Sequence, residues 1–390
     1  MFIDQWTKIA PKHWTRKKLK HIASLRSGES ITADSIKDEG DFPVYGGNGL
    51  RGYTGEYTHE GEFVLIGRQG ALCGNVNYAR DRFWASEHAV VVTRLGDDDL
   101  TWLGELLRYL DLNRLSQSAA QPGISAEEVS NVLLAVPPLE EQRRISAYLK
   151  SETARLDALV AAKQRVIDLL AEKRKAIIAT AVTRGLDPKV KLRDSGVPWL
   201  GAIPAHWEVV PFRWYFRIGS GDFIATDEVV SEPDAARGTP VIGGNGVAGY
   251  TAVANTSDAA SIVVGRVGAQ CGNVHVIAGL AWVTDNALLL RDIRAYEVEY
   301  LAQVLRHRDL NSIANKTAQP LITGSMVTEL RGPRPPLDEQ RAIVAHITRE
   351  TAKLDAVRAA TERTIALLKE RRSALIAAAV TGQLDVGAAA

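Results

Sequence analysis

Two long stretches dominate this sequence, residues 138–184 and 336–381. After their opening proline, neither contains a proline or a glycine, and both are filled with Ala, Leu, Glu, Lys and Arg, the strong helix formers. One long helix each is the simplest reading. In the first, Leu149, Leu156, Leu170 and Ile177 recur in heptad steps interrupted by Lys163, and Leu159 and Val166 form a second row beside them. That is a coiled-coil seam with a polar break. The second has Ile347, Leu354, Leu368 and Leu375 with Thr361 at the break, each 198 residues after its counterpart. A break facing a partner's leucine would leave a polar group unpaired, so matched breaks predict that the two helices pack on each other.

The rest of the chain repeats as well. Pro43-Val-Tyr-Gly-Gly-Asn-Gly49 returns as Pro240-Val-Ile-Gly-Gly-Asn-Gly246, and Ile66-Gly-Arg-Gln-Gly-Ala-Leu-Cys-Gly-Asn-Val76 as Val264-Gly-Arg-Val-Gly-Ala-Gln-Cys-Gly-Asn-Val274. Asp111-Leu-Asn113 matches Asp309-Leu-Asn311, and Pro11-Lys-His-Trp14 matches Pro204-Ala-His-Trp207. Short apolar runs between glycine turns, such as Phe63-Val-Leu-Ile66 and Ala89-Val-Val-Val-Thr93, predict strands. A helix over Leu100–Leu115, a turn at Gln121-Pro-Gly123, a short helix over Ser125–Asn131 and a strand over Val132–Val136 complete each copy. The fold class is therefore α+β: a tandem duplication of a mostly β domain followed by a long helix, the two helices forming an antiparallel coiled coil. The expected boundaries are 1–137 and 204–335 for the domains, 138–185 and 336–384 for the helices, 186–203 for a linker and 385–390 for a tail.

Antiparallel pairing follows from length. A helix of about 45 residues is about 65 to 70 Å long. The short linker could retrace that distance only if nearly fully extended. Building the second domain at the far end and sending the second helix back predicts a dumbbell with a pseudo-twofold axis. Such a shape suits a double-stranded target read at two separated places.

Composition sets wide limits. The 390 residues are 46% hydrophobic and 24% charged with net charge +1, as in ordinary globular chains of two or three domains. The start lacks the apolar core of a signal peptide, and no run approaches a membrane span, so a cytosolic protein is expected. Cys73 and Cys271, at equivalent positions, read as small buried thiols in a reducing compartment.

Several motifs need weighing. Gly47-Asn-Gly-Leu-Arg-Gly52 and Gly244-Asn-Gly-Val-Ala-Gly249 satisfy the dinucleotide pattern, but Tyr53-Thr54 and Tyr250-Thr251 follow in place of a helical run. A structural β-turn is the reading. Arg68 and Arg266 sit in glycine-flanked loops after strands, where they serve either as donors to a phosphate or base edge or as solvated turn residues. No phosphate-binding loop, paired metal histidines, Cys-x-x-Cys or nucleophile elbow is found, so no catalytic residue and no metal ligand is assigned. His13 and His206 read as packing or capping residues. Glu140, Glu141, Asp338 and Glu339 suit the positive end of the helix dipole.

This ordered combination closely resembles one family, the specificity subunits of type I restriction-modification enzymes. The resemblance spans essentially the whole chain and rests on the duplication, on Pro137-Pro-Leu-Glu-Glu-Gln142 and Pro335-Pro-Leu-Asp-Glu-Gln340 opening the helices, and on Trp199-Leu-Gly-Ala-Ile-Pro-Ala-His-Trp207. It implies two target-recognition domains, each reading half of an asymmetric bipartite DNA site, on helices that set the gap and dock two modification (methyltransferase) subunits. Restriction (motor and nuclease) subunits then join. It also implies a non-catalytic chain, with S-adenosylmethionine, ATP and Mg²⁺ belonging to the partners. The internal comparison offers DNA-binding candidates: Asn48, Arg51, Arg68, Gln69 and Gln121 in the first copy, and Asn245, Arg266, Gln270, Lys316 and Gln319 in the second. Positions identical in both copies are expected to serve scaffold or backbone contacts. Base reading is expected where the copies differ: Arg51 against Ala248, Gln69 against Val267, Leu72 against Gln270, His88 against Asn286, Ser118 against Lys316. A different class remains open, a structural dumbbell whose end domains bind protein or sugar. An enzyme using the glycine loops for a nucleotide is a third reading, without an acid, base or metal set to support it.

Overall fold

The computed structural model describes residues 5–70, 72–116, 122–315 and 320–387. Among them are six α-helices: α1 (Leu100–Tyr109), α2 (Ala126–Ser130), α3 (Leu139–Arg184), α4 (Val298–Arg308), α5 (Gly324–Thr328) and α6 (Leu337–Val380). The chain divides into two compact units. One comprises residues 1–164 and 362–390, the other 165–361, so α3 and α6 each contribute to both.

In the first unit, a four-stranded antiparallel sheet runs in the order Ala23–Ser27, Ala89–Arg94, Phe63–Gly67, Val76–Ala79. Its central strands are continuous apolar runs because both faces are covered. Val64, Ile66, Val90 and Val92 enter the main core with Trp102, Leu103, Leu106 and Leu107 of α1. Leu65 and Val91 point the other way, into a smaller core with Ala79, Phe83 and Ala85. The second sheet includes the Phe42–Gly46 and Gly49–Thr54 hairpin and a parallel strand, Arg82–Ala85. Asp99 caps α1, its carboxylate accepting from the Trp102 amide at 2.9 Å.

The second unit is built the same way. Its sheet order is Arg217–Ser220, Ala287–Arg291, Ser261–Gly265, Val274–Ile277. Ile262, Val264, Leu288 and Leu290 face the core that holds Tyr300, Leu301 and Leu305 of α4, while Val263 and Leu289 face a smaller one. Cys73 and Cys271 are free thiols, each buried in the main core of its own unit.

Within each unit the long helices run antiparallel. In the first, Ile145 and Leu149 of α3 share a core with Ile376, Ala379 and Val380 of α6, and farther along Asp157 pairs with Arg372 at 3.0 Å. In the second, Ala181 and Val182 lie with Ile343 and Ile347, and Arg174 bonds Asp355 at 2.7 Å. The expected second row differs: Leu159 and Val166 are exposed, while their neighbours Val160 and Ile167 are half-buried. The polar break at Thr361 is satisfied by its own helix, its hydroxyl donating to the Val357 carbonyl at 2.8 Å. It therefore needs no polar partner.

Three local differences have plain causes. The helix expected over Leu100–Leu115 stops at Tyr109, because Asp111 takes a left-handed φ of 50°; Asp309 does the same at 52°. Arg16, Lys17 and Lys18, which carry no apolar pattern, lie in a strand, Thr15–Lys18, paired antiparallel with Leu133–Val136. The 186–203 stretch closes on a strand pair, Leu192–Asp194 with Ala202–Pro204, and buries Leu200 and Ile203 in the second core.

Candidate nucleic-acid interface

The long helices are seated by a device built once in each unit. Trp14 Nε1 donates to Glu141 at 3.0 Å and His13 Nε2 lies 2.9 Å from the same carboxylate; Trp207 and His206 hold Glu339 at the same distances. The acid beside each helix start is thus bound to the domain as well as favoured by the helix dipole. Next to it, the buried Gln142 accepts from the Asp99 amide at 2.7 Å and donates to Asp98 at 2.7 Å and to the Pro137 carbonyl at 3.0 Å. Gln340 repeats this with the Glu297 amide and the Ala295 and Pro335 carbonyls. At the far ends, Gly185 and Gly382 both have φ of 73°, and a Cβ there would meet the rings of Trp207 and Trp14.

Seated this way, each domain brings several loops together. The dinucleotide-like glycines form the turn of the Phe42–Gly46 and Gly49–Thr54 hairpin, with a bulge after Val44, so the β-turn reading holds. The loop after Phe63–Gly67 lies directly against this turn. A Cβ at Gly67 would collide with the Gly47 carbonyl, as one at Gly265 would crowd the Gly244 carbonyl. Arg68 N donates to the His88 carbonyl at 2.9 Å, and Arg266 N to the Asn286 carbonyl at 3.0 Å. On the other side, Ile124 N donates to the Arg68 carbonyl at 3.0 Å, and Ile322 N to the Arg266 carbonyl at 2.9 Å. The hairpin turn, the arginine loop, the loop before Ala89 or Ala287 and the segment entering α2 or α5 therefore meet in one place.

This arrangement gathers most of the candidates. Asn48 is exposed at the turn and accepts from Asn75 Nδ2 at 3.3 Å. Arg51 is exposed on the next strand, its aliphatic stem lying over Gly46. Arg68 and Gln69 line a cavity of about 520 Å³ with Gly123, Ser125 and Glu128. Asn245 is exposed, and Gln270 accepts from Asn273 at 2.5 Å. The paired arginines differ in setting. Arg266 donates to Ser220 Oγ at 3.1 Å and to the Asp285 carbonyl at 3.2 Å, whereas the Arg68 side chain has no bond to another described residue. Gln121, Lys316 and Gln319, and with them Ser118, lie outside the described residues.

Asn113 and Asn311 were not singled out by function, yet they hold the loops in place. They donate to the carbonyls of Cys73 and Cys271 at 2.9 and 2.8 Å. The repeated Asp-Leu-Asn triplet was their signal. Among the described residues, no group of three or more His, Cys, Asp or Glu is placed to hold a metal ion, and no helix is long and apolar enough to cross a membrane.

The fold thus defines a class, a tandem scaffold in which one β-rich domain and one long helix occur twice. Comparison with known proteins shows what the chain is similar to. Residues 11–168 match the family model described as "Type I restriction modification DNA specificity domain". The specificity subunit of the type I restriction enzyme EcoprrI of Escherichia coli is 41% identical over 138 residues, 34% of this chain and 34% of that one. The aligned stretch therefore spans about a third of that relative's length. A solved structure from work on complex assembly and conformational transition of the type I restriction-modification system has a TM-score of 0.74 at 18% identity, covering 96% of this chain and 99% of the other. The HsdS subunit of Thermoanaerobacter tengcongensis has a TM-score of 0.52 at 18% identity, with 96% and 98% covered. At such identities the two structures establish a shared fold. Residues 11–168 are thus similar to the DNA specificity domain of type I restriction-modification enzymes, and the chain shares its fold with the two solved structures.

Proposed function

We propose that this chain is the sequence-reading subunit of a type I restriction-modification complex, with one domain for each half of an asymmetric bipartite site. Helices α3 and α6 set the unspecified gap and dock two modification subunits, and restriction subunits join that core. The chain itself is non-catalytic. S-adenosylmethionine, ATP and Mg²⁺ act in the partners, and the complex works in the cytoplasm.

One observation carries this reading. The same loop cluster is built twice on equivalent frames, but with Gln69 against Val267, Leu72 against Gln270 and His88 against Asn286. Equal frames with unequal reading faces suit a target whose halves differ in sequence. Arg68 and Arg266, common to both, suit contacts that any DNA provides, such as phosphates. The family match and the neighbour from work on complex assembly support the partners.

Methylome sequencing of cells expressing this chain with a type I modification subunit tests the proposal. The expected result is a bipartite motif with a fixed gap that disappears when this chain is omitted. A stable complex that leaves no such motif would contradict it and favour a structural scaffold.

A further inference from the structure

Both hairpins place an aliphatic side chain in solvent beside the candidate interface. Leu50 follows the Gly47-Asn48 turn and is 53% exposed; Val247 follows the Gly244-Asn245 turn and is 59% exposed. They occupy equivalent places in two domains that have diverged at neighbouring positions, with Arg51 replaced by Ala248. Neither residue belongs to a core of its unit. An exposed leucine alone needs no explanation. The same exposure at the same place twice, among polar loop residues, is a different matter.

The surroundings identify what would cover these side chains. The turn just before Leu50 packs on the Gly67-Arg68-Gln69 loop, and Asn48 is tied to Asn75 of that loop. The turn before Val247 packs in the same way on the loop that carries Arg266 and Gln270. An apolar side chain on a turn packed against loops that carry amide and guanidinium groups matches the major-groove edge of an A·T pair. That edge offers N7, N6 and O4 to polar groups and the thymine 5-methyl to an apolar one.

We propose that Leu50 and Val247 each contact a thymine methyl group, one in each half-site, and thereby help to set specificity. This rests on the reading of the chain as a DNA-recognition subunit. Guanidinium and amide groups of the neighbouring loops position the domain, and the aliphatic tip favours thymine over cytosine, which lacks the methyl.

The test uses the full chain with its modification subunit and duplexes carrying the methylome-derived site, each thymine replaced in turn by deoxyuridine. The swap removes one methyl and leaves the pairing unchanged. In the wild type, one substitution in each half-site should weaken binding on the order of fourfold, the worth of burying one methyl group. Leu50→Ala should abolish that sensitivity in the first half-site only, and Val247→Ala in the second only. Both residues are exposed, so unchanged thermal unfolding of the variants checks that folding is intact. The inference is overturned by a half-site made only of G·C pairs, by thymines indifferent to methyl removal, or by a sensitivity that survives Leu50→Ala. Loss of methylation in Leu50→Ala without any thymine dependence would also overturn it, assigning the side chain to a protein partner. Absence of any motif in the methylome would instead sink the recognition reading itself, so the two failures are distinguishable.

Discussion

Some polar side chains in this protein are spent on holding the long helices to their domains, and others are left unbonded at the loops. Gln142 and Gln340 are almost wholly buried, at 1% and 0% exposure, and each completes three hydrogen bonds between a long helix and its domain. Gln142→Leu keeps the volume but orphans the Asp99 amide and the Pro137 carbonyl. Buried polar groups without partners cost about 1 to 3 kcal/mol each. Chemical denaturation of the full chain should therefore show the first unit melting earlier, and an unchanged midpoint would show that this contact contributes nothing. Arg68 is of the other kind, its guanidinium unbonded to the described residues and present in both copies as Arg266. Arg68→Ala is expected to weaken DNA binding by the complex regardless of sequence and to reduce the slope of affinity against salt by about one. A changed methylation motif in Arg68→Ala would instead make this residue a base reader.

At the scale of elements, the long helices were legible, because two heptad patterns with no internal breaker repeat at one spacing. The first was expected over 138–185 and runs Leu139–Arg184, while the second, expected to 384, ends at Val380, before the positive φ of Gly382. The strands of the main sheets were legible for a related reason. Runs such as Phe63-Val-Leu-Ile66 serve two cores at once, so every residue is apolar. What sequence did not reveal lacks an inward face or depends on a single backbone angle. Thr15–Lys18 is exposed at all four positions and pairs only through its backbone, so it carries no hydrophobic signal. The end of α1 is set by the positive φ of Asp111, an angle that composition does not announce. The site was legible as separate motifs, but that the turns and loops converge depends on close backbone approaches. The helices also carry a prediction. Deleting one heptad from each, residues 160–166 and 358–364, preserves the seam and removes about 10 Å of helix. The gap in the methylation motif should shorten by about three base pairs, with both half-sites kept. An unchanged gap would show that the helices do not set the spacing.

For the molecule as a whole, charge sets the terms of binding. A net charge of +1 over 390 residues gives little of the counterion release that drives DNA affinity. The purified chain is expected to bind its site weakly at physiological salt and firmly once modification subunits are present. Nanomolar affinity of the chain alone would refute this. The central claim is narrower, that each domain independently reads one half-site through loops held on a common frame. The most direct measurement is the methylome of cells expressing the double variant Gln69→Val, Leu72→Gln, which gives the first domain the residues found at the equivalent loop positions of the second. One half of the motif should change, with the other half and the gap intact. A motif altered in both halves, or in neither, would contradict the account.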